Sequence, residues 1–247
     1  MKRKFLLAVV MGILLFLNGN ELRHIAAADG SSTIERHVGE IRLFPYRDFR
    51  MMEDGWEELN GLQKVQQFNP DLYSVIGTTF GGDDFSYFLP DLRGANPLPN
   101  INYMISMKGS LPGSADIQSY AGMMLYPGKL NNEFTEANGD GNTPDLRNAS
   151  PLPGIKYFYT DDQNDSNVYI GEIRLFKKED MKDTKGWLRC DGAELKIEEH
   201  IALYSLIGDR FGGRKGQYMN IPNLIDAEPS ADVSYYISIN GEFPGDK

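Results

Sequence analysis

The chain has 247 residues, 41% of them hydrophobic, with thirteen Tyr, thirteen Phe and 26 Gly; this excludes a disordered chain and favours short strands joined by turns over a helical bundle. A formal net charge of −10 argues against nucleic acid, whose phosphates require Lys and Arg, and against adhesion to anionic lipid. Cys190 is the only cysteine, so no intrachain disulfide forms and stability must come from packing, repeats or assembly.

At the N-terminus, Lys2, Arg3 and Lys4 lead into an apolar run from Phe5 to Leu17, and Ala26-Ala27-Ala28 follows. This is the layout of a secretory signal over residues 1–28, and the run is short of the about 20 residues that span a bilayer. The expected product is secreted or held at the cell surface, with no membrane segment in its mature form. Residues 1–28 hold Lys2, Arg3, Lys4 and Arg23 against Glu21, a net +3, so the mature chain carries −13. Residues 29–38 form a leader.

Next, Gly39-Glu40-Ile41-Arg42-Leu43-Phe44 sets Ile41 and Leu43 in alternation with Arg42, which predicts a half-buried strand. Gly55-Trp56 and Gly61 follow. Asn69-Pro70-Asp71-Leu72-Tyr73-Ser74-Val75-Ile76-Gly77 reads as a short helix. Asn69 is at the N-cap, Pro70 at the first helical position and Asp71 in the first turn; Leu72, Val75 and Ile76 share one face, and Gly77 supplies a left-handed stop. Two turns cannot stand alone in water and must be clamped by strands. The following Gly81-Gly82 turn and Phe88-Leu89-Pro90-Asp91-Leu92-Arg93-Gly94 read as loop. A strand from Ile101 to Met107 closes the unit.

The whole pattern returns. Gly171-Glu172-Ile173-Arg174-Leu175-Phe176 repeats the first strand at an offset of 132, and Gly186-Trp187, Gly192, Leu203-Tyr204-Ser205 and Phe211-Gly212-Gly213 repeat the centre at 131. Pro222, Leu224 and Ile237 then return to 132. A repeat this long is a small domain rather than a solenoid unit. A shorter copy lies between. Pro144-Asp145-Leu146-Arg147, Ala149, Pro151-Leu152-Pro153 and Tyr157 match Pro90-Asp91-Leu92-Arg93, Ala95, Pro97-Leu98-Pro99 and Tyr103 at an offset of 54, while Leu125-Tyr126-Pro127 matches Leu43-Phe44-Pro45 at 82. The difference implies that about 28 residues are gone, read here as the Gly-Trp segment, the helix and the Gly-Gly turn. Such a remnant must pack on its neighbours. The expected boundaries are 39–113, 114–160, a linker over 161–169, and 170–247.

These motifs, in this order, resemble the phage tail collar family, which also occurs in bacterial "microcystin-dependent" proteins. Residues 39–113 carry nearly all of the pattern; 170–245 carry it with Asn223 for Asp and no Arg-Gly after Leu224. The resemblance implies an α+β fold of small, β-rich collar-type domains in tandem, each with one short helix. It also implies a non-enzymatic structural role and assembly as a homo-oligomer, a trimer or fibre. With an export signal, the expectation is a structural, self-assembling or adhesive module at a bacterial surface. The alternative is an envelope protein that binds or degrades carbohydrate, with a surface glycan as partner.

Candidate sites are few. Repeated Trp56 and Trp187 are expected in the core, and Cys190, which stands where the first copy has Leu59, is expected to be a buried structural thiol. Arg93 and Arg147, each following Pro-Asp-Leu, are expected to tie their loops to Asp91 and Asp145 or to present a ligand surface. No catalytic residue, metal site or cofactor is expected. Asn138-Gly139-Asp140-Gly141 resembles the start of a calcium loop, but Arg147 occupies the twelfth position, where Glu is needed. Asp161, Asp162 and Asp165 read as a solvated linker.

Overall fold

Three strands make the unit on which each copy is built. In the first copy, β1 (Ile41–Phe44) pairs antiparallel with β5 (Asn102–Ser106), which also holds β2 (Trp56–Glu58). In the last copy, β9 (Ile173–Lys177), β13 (Val233–Ser238) and β10 (Trp187–Arg189) repeat the arrangement. In the middle copy, β6 (Ala121–Tyr126), β8 (Lys156–Asp161) and β7 (Thr135–Glu136) do the same. All nine strands belong to one sheet. The computed structural model describes residues 36–112, 120–128, 130, 134–161, 168–182 and 186–245; the signal segment, the leader up to residue 35 and the acidic linker from Asp162 to Asn167 lie outside them.

The three first strands meet as a triangle. Ile41 of β1 faces Leu125 of β6, Met123 of β6 faces Leu175 of β9, and Ile173 of β9 faces Leu43 of β1. Each corner thus joins the same two positions of successive copies, so the copies are related by a pseudo-threefold axis. Strand alternation sends Ile41, Leu43 and their counterparts to one side of the triangle and Arg42, Met124 and Arg174 to the other.

The half-buried reading of β1 is therefore corrected: all four of its residues are buried, and the polar side of the strand is buried at the hub. Glu172 receives the Arg42 guanidinium at 2.8 Å and that of Arg174 as well, while Arg42 also bonds Glu40. The backbone amides of His37 and Tyr169 complete the two carboxylates at 3.1 and 3.2 Å. Gly122 and Met124 stand in the registers of Glu40 and Arg42, so the middle copy has lost both charges together and the buried set stays neutral. Tyr120 covers the gap, its ring 3.9 Å from the Arg174 guanidinium carbon and 5.3 Å from that of Arg42.

The two tryptophans have matching surroundings. Trp56 packs edge-on against Phe44 at 5.4 Å with Arg42 at 5.5 Å, and Trp187 packs edge-on against Phe176 at 5.0 Å with Arg174 at 5.3 Å. The Gly-Trp segment is not missing from the middle copy. Phe134, buried, precedes β7 as Trp56 begins β2, and Ala137 bonds the Tyr157 carbonyl as Leu59 bonds that of Tyr103. The main deletion falls between Gly139 and Pro144, which are separated by four residues where Gly61 and Pro90 are separated by 28.

Those 28 residues hold a helix module. β3 (Gln63–Val65) and β4 (Ser86–Phe88) form a two-stranded ribbon around the helix Pro70–Ile76; the last copy repeats it with β11 (Glu194–Lys196), β12 (Tyr218–Asn220) and Ile201–Ile207. β4, within the stretch read as loop, is too short for alternation to show. The first copy holds a further helix, Phe49–Glu53, begun by the Asp48 carboxylate accepting from the Arg50 amide. These three helices, numbered α1 (49–53), α2 (70–76) and α3 (201–207), are the only α-helices among the described residues. Leu72 and Ile76 are buried as expected, but the Asn69 side chain makes no cap bond and Gly77, at φ 52° and ψ −137°, lies outside the left-handed helical region. Positive φ still favours glycine there.

Each module leans on the next copy. Val75 of α2 packs against the middle copy's cluster of Tyr126, Met124 and Phe134, and Leu203 of α3 lies beside Tyr46 of the first copy. The last copy has no module to receive, and there Pro45-Tyr46 is replaced by Lys177-Lys178. Lys178 reaches Glu228 at 3.1 Å, and Lys177 pairs with Glu179 at 2.6 Å.

Glu172→Ala takes from the buried Arg174 its carboxylate and leaves Arg42 with Glu40 alone, and is expected to lower the unfolding free energy by about 3–5 kcal/mol in denaturant titrations. Burial alone would raise the Glu40 carboxyl, but the charge and hydrogen bond of Arg42, then His37, hold it below the usual range. A depressed carboxylate contributes fully above its unfolded pKa and loses that contribution as pH falls through the folded one. The denaturation midpoint is therefore expected to fall on acidification below about pH 4, and Glu40→Gln to flatten that fall.

Candidate functional site

The Pro-Asp-Leu-Arg loops leave the sheet at the end of β1 marked by Phe44, which pairs with Asn102, whereas the described chain begins at Arg36 at the opposite end. With the corresponding Pro222-Asn223-Leu224-Ile225 loop of the last copy, three loops therefore gather at one end of the axis. A glycine positions each of them: Gly61, Gly139 and Gly192 have φ of 76°, 86° and 83°, and a Cβ there would press on the Cβ of Asp91, Asp145 and Asn223 at 3.2–3.3 Å. The loop is bridged to the glycine segment at the same three residues.

Arg93 closes a fork on Asp91, with Nε–Oδ1 at 2.9 Å and Nη2–Oδ2 at 2.6 Å, and Arg147 repeats it on Asp145 at the same distances. Hydrogen bonds from the arginine forks hold both carboxyls down at about 2. All four side chains are exposed and each pair stays within its own loop. Asn223 and Ile225 stand at the corresponding positions of the last copy, so it has no such pair.

Behind the loops lies a cavity of about 570 Å³ on the pseudo-axis. Its walls are Ala95, Ala149 and Ala227 with Pro97, Pro151 and Pro229, and its floor is Tyr103, Tyr157 and Tyr235, each trio made of corresponding residues from the three copies. The phenol hydroxyls are hydrogen-bonded to one another, and burial pushes Tyr103 up to about 12 and Tyr157 and Tyr235 higher. Asp145, Asn148 and Ser230 complete the lining from one side. Of these residues only Asp145 is a candidate from sequence. The tyrosine spacing was visible in the repeats, but only the threefold packing joins them.

Residues 39–97 and 171–229 match the family model of the phage tail collar domain. The chain carries two collar domains. No curated protein and no solved structure matches it. The middle copy lies outside both matched ranges, yet its three strands and its loop take the collar arrangement. Collar domains are structural modules, and in phage fibres they commonly form trimers; such a module points to an extracellular or virion-associated protein.

The remaining candidates resolve simply. Cys190 is buried at the position of Leu59, and burial raises its thiol well above the usual range, as for an inert structural cysteine. Asp140 accepts at 2.9 Å from the Asn138 side-chain amide, and Arg147 is tied to Asp145, so the segment resembling a calcium loop is a self-bonded turn. Among the described residues no three His, Cys, Asp or Glu cluster as metal ligands, and no helix is long and apolar enough to cross a membrane.

Arg147→Ala frees Asp145, and its carboxyl is expected to rise from about 2 toward 4 in a carbon-detected NMR titration. The thermal midpoint is expected to stay within about 2 °C, since exposed pairs contribute little.

Proposed function

We propose that this chain is a secreted, non-catalytic structural module at the bacterial surface, in which the trimer expected of collar domains is built inside one polypeptide and whole chains then associate through one apolar face. The pseudo-threefold triangle supports the first half of this reading. Surfaces that three subunits would share are already paired within the chain: β1, β6 and β9 at the hub, the helix modules on their neighbours, and the Arg36 guanidinium on the Tyr169 hydroxyl at 2.8 Å.

The observation that carries the second half is a difference between the two helix modules. In the first, Leu62, Val65, Phe68 and Phe85 are exposed, the two phenylalanines by 76% and 81%. The ribbon hydrogen bonds align them with Ala193, Lys196, Glu199 and Gln217 of the last copy, since Gln66 donates to the Phe85 carbonyl as Ile197 donates to that of Gln217. The two modules share a fold, so the fold does not demand those apolar side chains. Exposed aromatic residues of this kind mark an association surface. The face occurs once per chain, so it pairs isologously with a second copy and closes as a dimer.

Sedimentation across a concentration series is expected to show a monomer–dimer equilibrium with no trimer. The double variant Phe68→Glu, Phe85→Gln, which copies the last module, is expected to remain monomeric with an unchanged thermal midpoint. A wild-type chain that stays monomeric throughout the series would refute the association surface, and an obligate trimer would refute the internal one.

A further inference from the structure

We propose that the axial cavity receives the uncharged end of a glycan chain. This goes beyond the association just described and uses the opposite surface chemistry. The space of about 570 Å³ falls in the range of small-molecule sites, roughly 300–1,000 Å³.

The lining selects the class of occupant. Asp145 is its one charged residue, and that carboxylate is already neutralised by Arg147 at 2.6 Å. A phosphate, sulfate or carboxylate finds no unpaired cation here, and a cation finds no unpaired anion. The end of a peptide carries a formal charge that the same lining leaves unmet. A wholly apolar occupant would seal the Asn148 amide and the Ser230 hydroxyl away from water without new partners, which is unfavourable. A neutral sugar meets both halves of the surface. Its C–H faces lie on alanine and proline walls, and its hydroxyls exchange hydrogen bonds with Asn148 and Ser230.

The last copy breaks the symmetry in a way that orients such a ligand. Ser230 stands where the other copies have Leu98 and Leu152, and Asn148 stands where the first copy has Gly94. Ser230 accepts from the Asp232 amide at 3.3 Å, which leaves its hydroxyl proton to donate. One flank of the cavity is thus polar and the first-copy flank is apolar. The mouth lies at the end of the body remote from Arg36.

The test is a microarray of neutral oligosaccharides, sialylated and phosphorylated glycans and tethered peptides, probed with the mature chain, followed by calorimetry on neutral hits. Neutral glycans are expected to be retained in preference to every charged class. Ala149→Trp fills the cavity and is expected to abolish binding. Asn148→Ala, a change at an exposed residue that leaves the core intact, is expected to weaken it about tenfold, the loss of one or two hydrogen bonds. Absence of any neutral hit, preference for anionic glycans or peptides, or unchanged affinity of both variants would overturn the assignment.

Discussion

A strand with charged residues on one face normally turns that face to water. In this protein β1 and β9 cannot, because each is one side of a closed triangle and both of its faces are covered. The buried Glu and Arg are tolerable only because partners come from another copy: Glu172 is satisfied by Arg42 of the first copy and Arg174 of its own. Isolated burial of such groups is prohibitive. Closure of the triangle and pairing of the charges therefore require one another, and the tyrosine floor, the loops and the helix modules take their places around that closure.

The same dependence explains the middle copy. It has no helix module, and its strand lacks both hub charges. It nevertheless completes the triangle, since Met123 and Leu125 supply the two apolar corner contacts. Removing Glu and Arg together left neither charge stranded. With no module received by the last copy, Lys178 stands exposed where the first copy has the buried Tyr46, while Lys177 stays buried and pairs with Glu179.

Much of this was legible in the repeats. The offsets of 132, 131 and 54 mark equivalent strands, and the helix was readable from Pro70 and the spacing of Leu72 and Ile76. Cys190 and the tryptophans follow from their positions in the copies. Burial at Arg42 is not legible in the sequence, because alternation reports which residues share a face, not whether that face is covered. The middle copy's β7 carries no Trp to mark it, Phe134 standing there instead, and the three residues of β4 carry no period. The axial cavity joins Tyr103, Tyr157 and Tyr235 across 132 positions; no local pattern encodes that meeting, which depends on how copies assemble.

Threefold assemblies of identical subunits must repeat every surface three times, and a change in one lobe is imposed on all. Stringing the lobes on a single polypeptide lifts that restriction. One lobe here has been pared to its strands, another alone presents Phe68 and Phe85, and a third alone places a serine in the axial wall. Fusion has turned a symmetric object into one with a front, a back and a fixed count of one for each specialised surface.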